Sequence, residues 1–151
     1  MCGIAGLISL DSSHSDLDGS AFRMMEALRH RGPDNSGHYV DRKERLVLAH
    51  RRLAIQDLSD AGKQPMFSDQ GRYVVVFNGE IYNFKILARE LERNGYTFRG
   101  HSDTEVLLAA VLEWGLEKAL QRFIGMFAFA LWDAQEKVLH LCRDRMGEKP
   151  L

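Results

Sequence analysis

The run Tyr73-Val-Val-Val-Phe77 restricts the fold more than any other stretch of this chain. β-Branched and aromatic side chains in unbroken succession suit a pleated backbone and crowd a helix, so residues 72–78 read as a buried strand. Asn78-Gly79 follows, and this pair predicts a turn that ends the strand. A buried strand needs partners, and strand-like runs lie towards both ends of the chain: 3–9, 36–41 and 45–50 before it, 125–133 and 137–143 after it, the last two joined by Ala134-Gln-Glu136. Helical spacing occupies three segments. Ala21, Met24, Met25 and Leu28 share a face in 18–30, behind Asp18 and Ser20 as caps. Phe84, Leu87, Ala88 and Leu91 do so in 83–94, which Gly95 terminates, and 103–114 repeats the pattern with Ser102 or Asp103 as its cap. Strands at both ends with helices grouped between them argue for an α+β layered domain rather than a parallel doubly wound one.

At 151 residues and 45% apolar composition the chain is sized for one core. Twenty Lys and Arg against 21 Asp and Glu give a net charge of -1, so composition makes no case for nucleic acid or an anionic membrane. Arg29-His-Arg31 and Arg51-Arg52 are the local exceptions, without the interleaved aromatics of an RNA surface. The apolar stretch 123–132 is too short to span a bilayer, and the N-terminus lacks a basic segment followed by an apolar one. A cytoplasmic protein is expected. No internal repeat or linker is visible, and Gly147-Glu-Lys-Pro-Leu151 ends the chain without terminating logic, which reads as a truncated domain.

Two cysteines, Cys2 and Cys142, are too few for a disulfide scaffold and have no zinc spacing. The histidines, at 14, 30, 38, 50, 101 and 140, form no metal-binding pattern either, so no metal is expected and His30 and His50 read as hydrogen-bonding residues. Cys2 is chemically distinctive. Removal of Met1 would leave its thiol and a free α-amine on one residue, and an amine titrating at about 7.7–8.0 can take the thiol proton. Gly3 beside it would leave room for a substrate. The competing reading is a small buried hydrophobe next to a strand. Asn78-Gly79 offers a carboxamide and a backbone N–H, the donor types of an oxyanion hole, against the plainer reading of a hairpin turn. Arg52, in Leu48-Ala-His-Arg-Arg-Leu53, and Asp103, in His101-Ser-Asp-Thr104, suit the carboxylate and ammonium of an amino acid, against a surface ion pair and a helix cap. Cys142 reads as a buried bystander, Arg143-Asp-Arg145 as a structural ion pair, and Met24, Met25, Phe127 and Phe129 as core.

Taken in order, Met1-Cys-Gly-Ile4, His30-Arg-Gly-Pro-Asp34 with Ser36-Gly37, Leu48-Ala-His-Arg-Arg-Leu53, Phe77-Asn-Gly-Glu-Ile-Tyr-Asn83, Ser102-Asp-Thr-Glu105, Gly125-Met-Phe-Ala-Phe129 and Arg143-Asp-Arg145 with Gly147 resemble the class II glutamine amidotransferases. The nearest resemblance is to the N-terminal domain of asparagine synthetase-like enzymes, over essentially the whole chain. The resemblance implies an N-terminal nucleophile hydrolase sandwich, two antiparallel sheets between helical layers, over 1–151. It implies Cys2 as nucleophile, Asn78 and Gly79 as oxyanion hole, Arg52 on the glutamine carboxylate, and Asp103 with Glu80 on its ammonium. The partners it implies are glutamine and a C-terminal synthetase domain absent from this chain, with ATP and Mg needed only there and no cofactor here; homodimerisation is left open. Two rivals remain. An inactive glutaminase-like scaffold is disfavoured by the intact set Cys2, Arg52, Asn78, Gly79 and Asp103, and a hydrolase of other amides by the pairing of Arg52 with Asp103.

Overall fold

A computed structural model describes residues 2–10, 16–54 and 60–151. Among them, chain order gives β1 (Gly3–Ile8), α1 (Leu17–Ala27), β2 (Asn35–Asp41), β3 (Leu46–Arg52), a 3₁₀ turn (Asp60–Gly62), β4 (Met66–Phe67), β5 (Tyr73–Ile81), α2 (Phe84–Arg93), α3 (Asp103–Trp114), α4 (Leu116–Arg122), β6 (Gly125–Asp133) and β7 (Val138–Arg143). Two antiparallel sheets result, β1-β3-β2 and β4-β5-β6-β7.

The two-residue period of a strand explains how they stack. On β5, Val74 and Val76 face the first sheet and meet Leu46 and Leu48 of β3, with Ala130 and Trp132 of β6 beside them. Val75, Phe77 and Ile81 face the other way, onto Leu87, Leu91, Leu107 and Val111 of α2 and α3. Val47 of β3 lies on the outer face of the first sheet, against Leu17 and Ala21 of α1. The layers therefore run helix, sheet, sheet, helices. This is the expected α+β sandwich, and every β-branched residue of the Tyr73–Phe77 run is buried in it because both faces of β5 are covered.

Local readings change in four places. Asn78-Gly79 makes no turn: β5 continues to Ile81, with Asn78 paired to Ala128 and Gly79 to Phe127. Nine pairs with β6 outweigh the local preference of the dipeptide. The cap of α1 is Asp16, whose side chain accepts from the Gly19 N–H at 2.9 Å, rather than Asp18 or Ser20. Neither β4 nor α4 is foreseen, being two and seven residues long and so too short to show a period. Residues 57–63, a polar stretch whose composition reads as a loop, lie partly outside the described residues, and the described part is the 3₁₀ turn and Lys63.

Arg143, Asp144 and Arg145 are structural, but not as an ion pair with one another. The Asp144 carboxylate accepts four backbone N–H groups, from Phe127, Met146, Glu148 and Lys149. Arg143 donates to the Lys149 and Gly147 carbonyls, and Arg145 to those of Phe123, Leu120 and Gln121. Burial works against the Asp144 charge, but the N–H groups of Glu148, Lys149, Phe127 and Met146 override it and hold the carboxyl at about 2.

Candidate active site

One cleft is lined by Cys2, Arg52, Asn78, Gly79, Glu80 and Asp103 together. The six residues come from the residue before β1 and from β3, β5 and α3, and the fold brings all of them to one end of the sandwich.

Cys2 directly precedes β1. Its carbonyl accepts from Arg31 Nε at 3.1 Å, and its Sγ lies 3.7 Å from the Leu53 carbonyl oxygen. Residues 30–34 wrap the end of β3. Gly32 lies so close to the Arg51–Arg52 peptide that a Cβ would stand 2.4 Å from the Arg51 carbonyl carbon. The Asp34 side chain accepts from the Ala54 N–H at 2.8 Å, and its own N–H donates to the Arg52 carbonyl at 3.1 Å. This segment therefore anchors Cys2 and Arg52 to a common support. Gly3 is small for a different reason from the one expected: its added Cβ would meet Leu28 and Arg31, not the cleft. Met1, whose removal the chemistry requires, lies outside the described residues.

The candidate oxyanion donors lie on an open strand edge. β4 covers β5 only at Val74 and Val75. Along the uncovered remainder, the Phe77 N–H donates to Gln64 Oε1 at 2.6 Å and the Ile81 N–H to Asp103 Oδ2 at 2.9 Å. Backbone groups of an antiparallel strand alternate sides, so the Gly79 N–H points out of the same edge, between these two. Asn78 occupies the opposite register, continuing the face of Val74 and Val76 towards the sheet that carries Cys2. Only glycine fits at 79, where a Cβ would stand 2.2 Å from the Met126 carbonyl oxygen and 2.6 Å from Phe127 Cα.

Charge is separated along the cleft. Arg52 closes β3, and Gly62 packs against its guanidinium so tightly that a Cβ would lie 2.1 Å from Nη2. Asp103, 6% exposed, opens α3. Burial raises its pKa to about 6 with help from the charge of Glu80, against the lowering effect of the Ile81, Asp103 and Thr104 N–H groups. This end of the cleft thus favours a cation. Arg51 turns away, to the Met25 carbonyl and Glu26 of α1, so the Arg51-Arg52 pair divides into a packing residue and a cleft residue.

His50 hydrogen-bonds as expected: its Nε2 donates to the Phe77 carbonyl at 3.3 Å. Burial holds its pKa down at about 4, the Phe77 carbonyl opposing and Arg52 adding to the effect, so the ring is neutral near pH 7. Cys142 is buried in β7 with its thiol pushed up to about 11 by desolvation, which suits a bystander. Gly62, Gln64, Thr104, Met126 and Lys149 also line the cleft and were not foreseen. Thr104 lies in the Ser102–Glu105 motif, Met126 in the Gly125–Phe129 motif and Gly62 in a polar stretch, whereas Gln64 and Lys149 carried no signal of their own. Among the described residues no three His, Cys, Asp or Glu side chains converge to hold a metal, and no helix is long and apolar enough to cross a membrane.

An amino-terminal cysteine facing an oxyanion-type edge across two packed antiparallel sheets is the arrangement of an N-terminal nucleophile amidotransferase. The glutamine phosphoribosylpyrophosphate amidotransferase of B. subtilis, solved with ADP and GMP, shares the fold with a TM-score of 0.75 at 19% identity, over 99% of this chain and 38% of that one. The sequence matches the glutamine amidotransferase domain across residues 1–151, and the chain belongs to that family. Asparagine synthetase [glutamine-hydrolyzing] 1 of Bacillus subtilis is 40% identical over 153 residues, covering 100% of this chain and 24% of the relative. Asparagine synthetase B of Escherichia coli is 40% identical over 151 residues, 100% of this chain and 26% of the relative. Amidase chry2 of Gibberella zeae is 37% identical over 161 residues, with 100% and 24% coverage. The chain spans about a quarter of the length of these curated relatives.

Proposed function

We propose that this chain hydrolyses glutamine to glutamate and ammonia through a thioester on Cys2, and that the ammonia serves an ATP-dependent synthetase domain of the asparagine synthetase type. The observation that carries the reading is the shared cleft, in which a thiol, two oxyanion donors and separated opposite charges line one cavity.

In this mechanism the Cys2 α-amine, freed by loss of Met1, takes the thiol proton. The thiolate attacks the side-chain amide carbon. The resulting oxyanion accepts hydrogen bonds from the Gly79 N–H and the Asn78 carboxamide, donors worth roughly 3–4 kcal/mol each to the transition state. The ammonium of Cys2 returns its proton to the leaving nitrogen, the C–N bond breaks, and ammonia departs. Water then adds to the thioester, giving its proton to the same amine, and a second oxyanion collapses to glutamate and the free thiol. Arg52 grips the α-carboxylate in a two-pronged fork, while Asp103 and Glu80 take the α-ammonium. An ammonium between those carboxylates would offset the desolvation, and the smaller Glu80 repulsion, that raise the Asp103 pKa. The glutaminase step draws on side chains and the chain terminus alone; ATP and Mg act in the synthetase half, with aspartate as the acceptor to which the relatives' names point. The reading puts the enzyme in the cytoplasm, where its two cysteines stay reduced.

Intact mass combined with glutamate release, for wild type and Cys2→Ala, tests it. Loss of one methionine with Cys2-dependent release is expected. A processed, folded protein that releases no glutamate would instead favour an inactive scaffold.

A further inference from the structure

Gln64 has no part in the mechanism above, yet its side chain joins the two ends of the cleft. Its Oε1 accepts from the Phe77 N–H at 2.6 Å, and its Nε2 donates to Thr104 Oγ1 at 3.3 Å. Gln64 is 8% and Thr104 3% exposed, so both bonds form away from bulk water. Phe77 lies two residues before Gly79 on the open edge of β5, and Thr104 follows Asp103 in the first turn of α3. The Gln64 backbone is fixed from a third side by β2, where a Cβ on Gly37 would come within 2.2 Å of the Gln64 carbonyl oxygen.

We propose that Gln64 is a positioning residue: it holds the open edge of β5 and the start of α3 at a set spacing, and thereby aims the Gly79 N–H at the oxyanion while Asp103 holds the substrate ammonium. This rests on the glutaminase reading. Between Val75 and Ile81 the open edge has no strand beside it among the described residues, so the side chains of Gln64 and His50 at Phe77 and of Asp103 at Ile81 set its pleat. Without Gln64 the edge can twist, and the direction of the Gly79 N–H changes. Hydrogen bonds weaken steeply with angle, and the one to a developing oxyanion is stronger than any to the ground-state carbonyl. Loss of Gln64 therefore acts on turnover more than on glutamine binding. A merely structural role would weaken all ligands alike.

Gln64→Met keeps the reach of the side chain without its polar ends, and Thr104→Val removes the far anchor isosterically. Both are to be measured in the intact protein, after Cys2-dependent glutamate release by wild type is in hand. Absence of that release defeats the glutaminase reading itself and not Gln64 in particular. For Gln64→Met we expect kcat to fall about tenfold or more, with KM for glutamine within about threefold of wild type. Affinity for glutamate γ-semialdehyde, whose thiohemiacetal oxygen occupies the hole, should drop by the factor lost in kcat/KM. Affinity for 2-aminopentanoate, which has both α-charges and no side-chain carbonyl, should hold. Thr104→Val should show the same selective pattern at about threefold. A folded Gln64→Met with unchanged kcat, or with both affinities lowered equally, overturns the proposal. Where Gln64→Met does not fold, an unchanged kcat for Thr104→Val overturns it instead.

Discussion

Asp103 couples the site to pH in a direction that can be worked out in advance. Its raised pKa of about 6 means that the empty cleft loses the Asp103 charge, one of two carboxylates at that end, as pH falls through that value. KM for glutamine should therefore climb about tenfold per unit below pH 6, and steady-state kinetics from pH 5 to 8 would reveal it. Asp103→Asn keeps an acceptor for the Ile81 N–H but carries no charge; its KM should rise by about 2 kcal/mol, or roughly 30-fold, and lose that pH dependence. For stability the sign reverses, because a raised carboxyl pKa favours folding below about 4 and loses that contribution as pH rises through 6. His50 opposes it. Its pKa of about 4, against 6.5 unfolded, makes folding stability fall as pH drops from 6.5 to 4, by about 3 kcal/mol. His50→Gln, which can still donate to the Phe77 carbonyl, should be spared that loss in urea unfolding at pH 7 and 4.5. The residues of the candidate site were legible wherever the chemistry is carried by the residue itself: a cysteine at position 2, a lone Arg and Asp suited to an amino acid. Gln64 was not, because its partners lie 13 and 40 residues away and nothing in its local sequence marks them.

Elements show where local preference yields. Asn-Gly is a strong turn signal, yet at 78–79 it lies inside a strand, and glycine is there because Met126 and Phe127 of the neighbouring strand approach too closely for a side chain. Gly79→Ala should accordingly cost about 1–3 kcal/mol in thermal or urea unfolding, from overpacking against backbone, as well as abolishing turnover. At the start of α3 local logic prevails. Ser102 Oγ accepts from the Glu105 N–H at 3.3 Å, and the Glu105 carboxylate reaches back to the N–H groups of Arg99 and Gly100 at 3.0 and 2.8 Å. Ser102→Ala should lower stability by about 1 kcal/mol and, since Asp103 sits in that turn, raise KM more than it lowers kcat. Helices with caps and strands with β-branched runs could be read from sequence to within a few residues. The short pieces β4 and α4 could not, since their conformation is imposed by the sheet edge and by the packing of Ala119 and Phe123 into the core.

For the whole molecule, the unbroken apolar runs of β5 and β6 fit two covered faces, and a four-layer sandwich is the arrangement that covers them with the helices available. What could not be read was how the layers meet, because which ends of the strands converge depends on register across sheets that share no hydrogen bonds. That meeting has a mechanical consequence. Cys2 hangs from one sheet and the Asn78–Gly79 edge belongs to the other, so in the proposed mechanism the gap between thiolate and oxyanion donors is gauged by the apolar filling between the sheets, Leu48 against Val74 and Val76. The sandwich acts as a calliper whose jaws are the reacting groups and whose screw is buried hydrocarbon. A methylene added or removed in that filling, as in Val76→Ile or Val76→Ala, should change the jaw opening, and with it the rate of thioester formation, without touching a group that reacts.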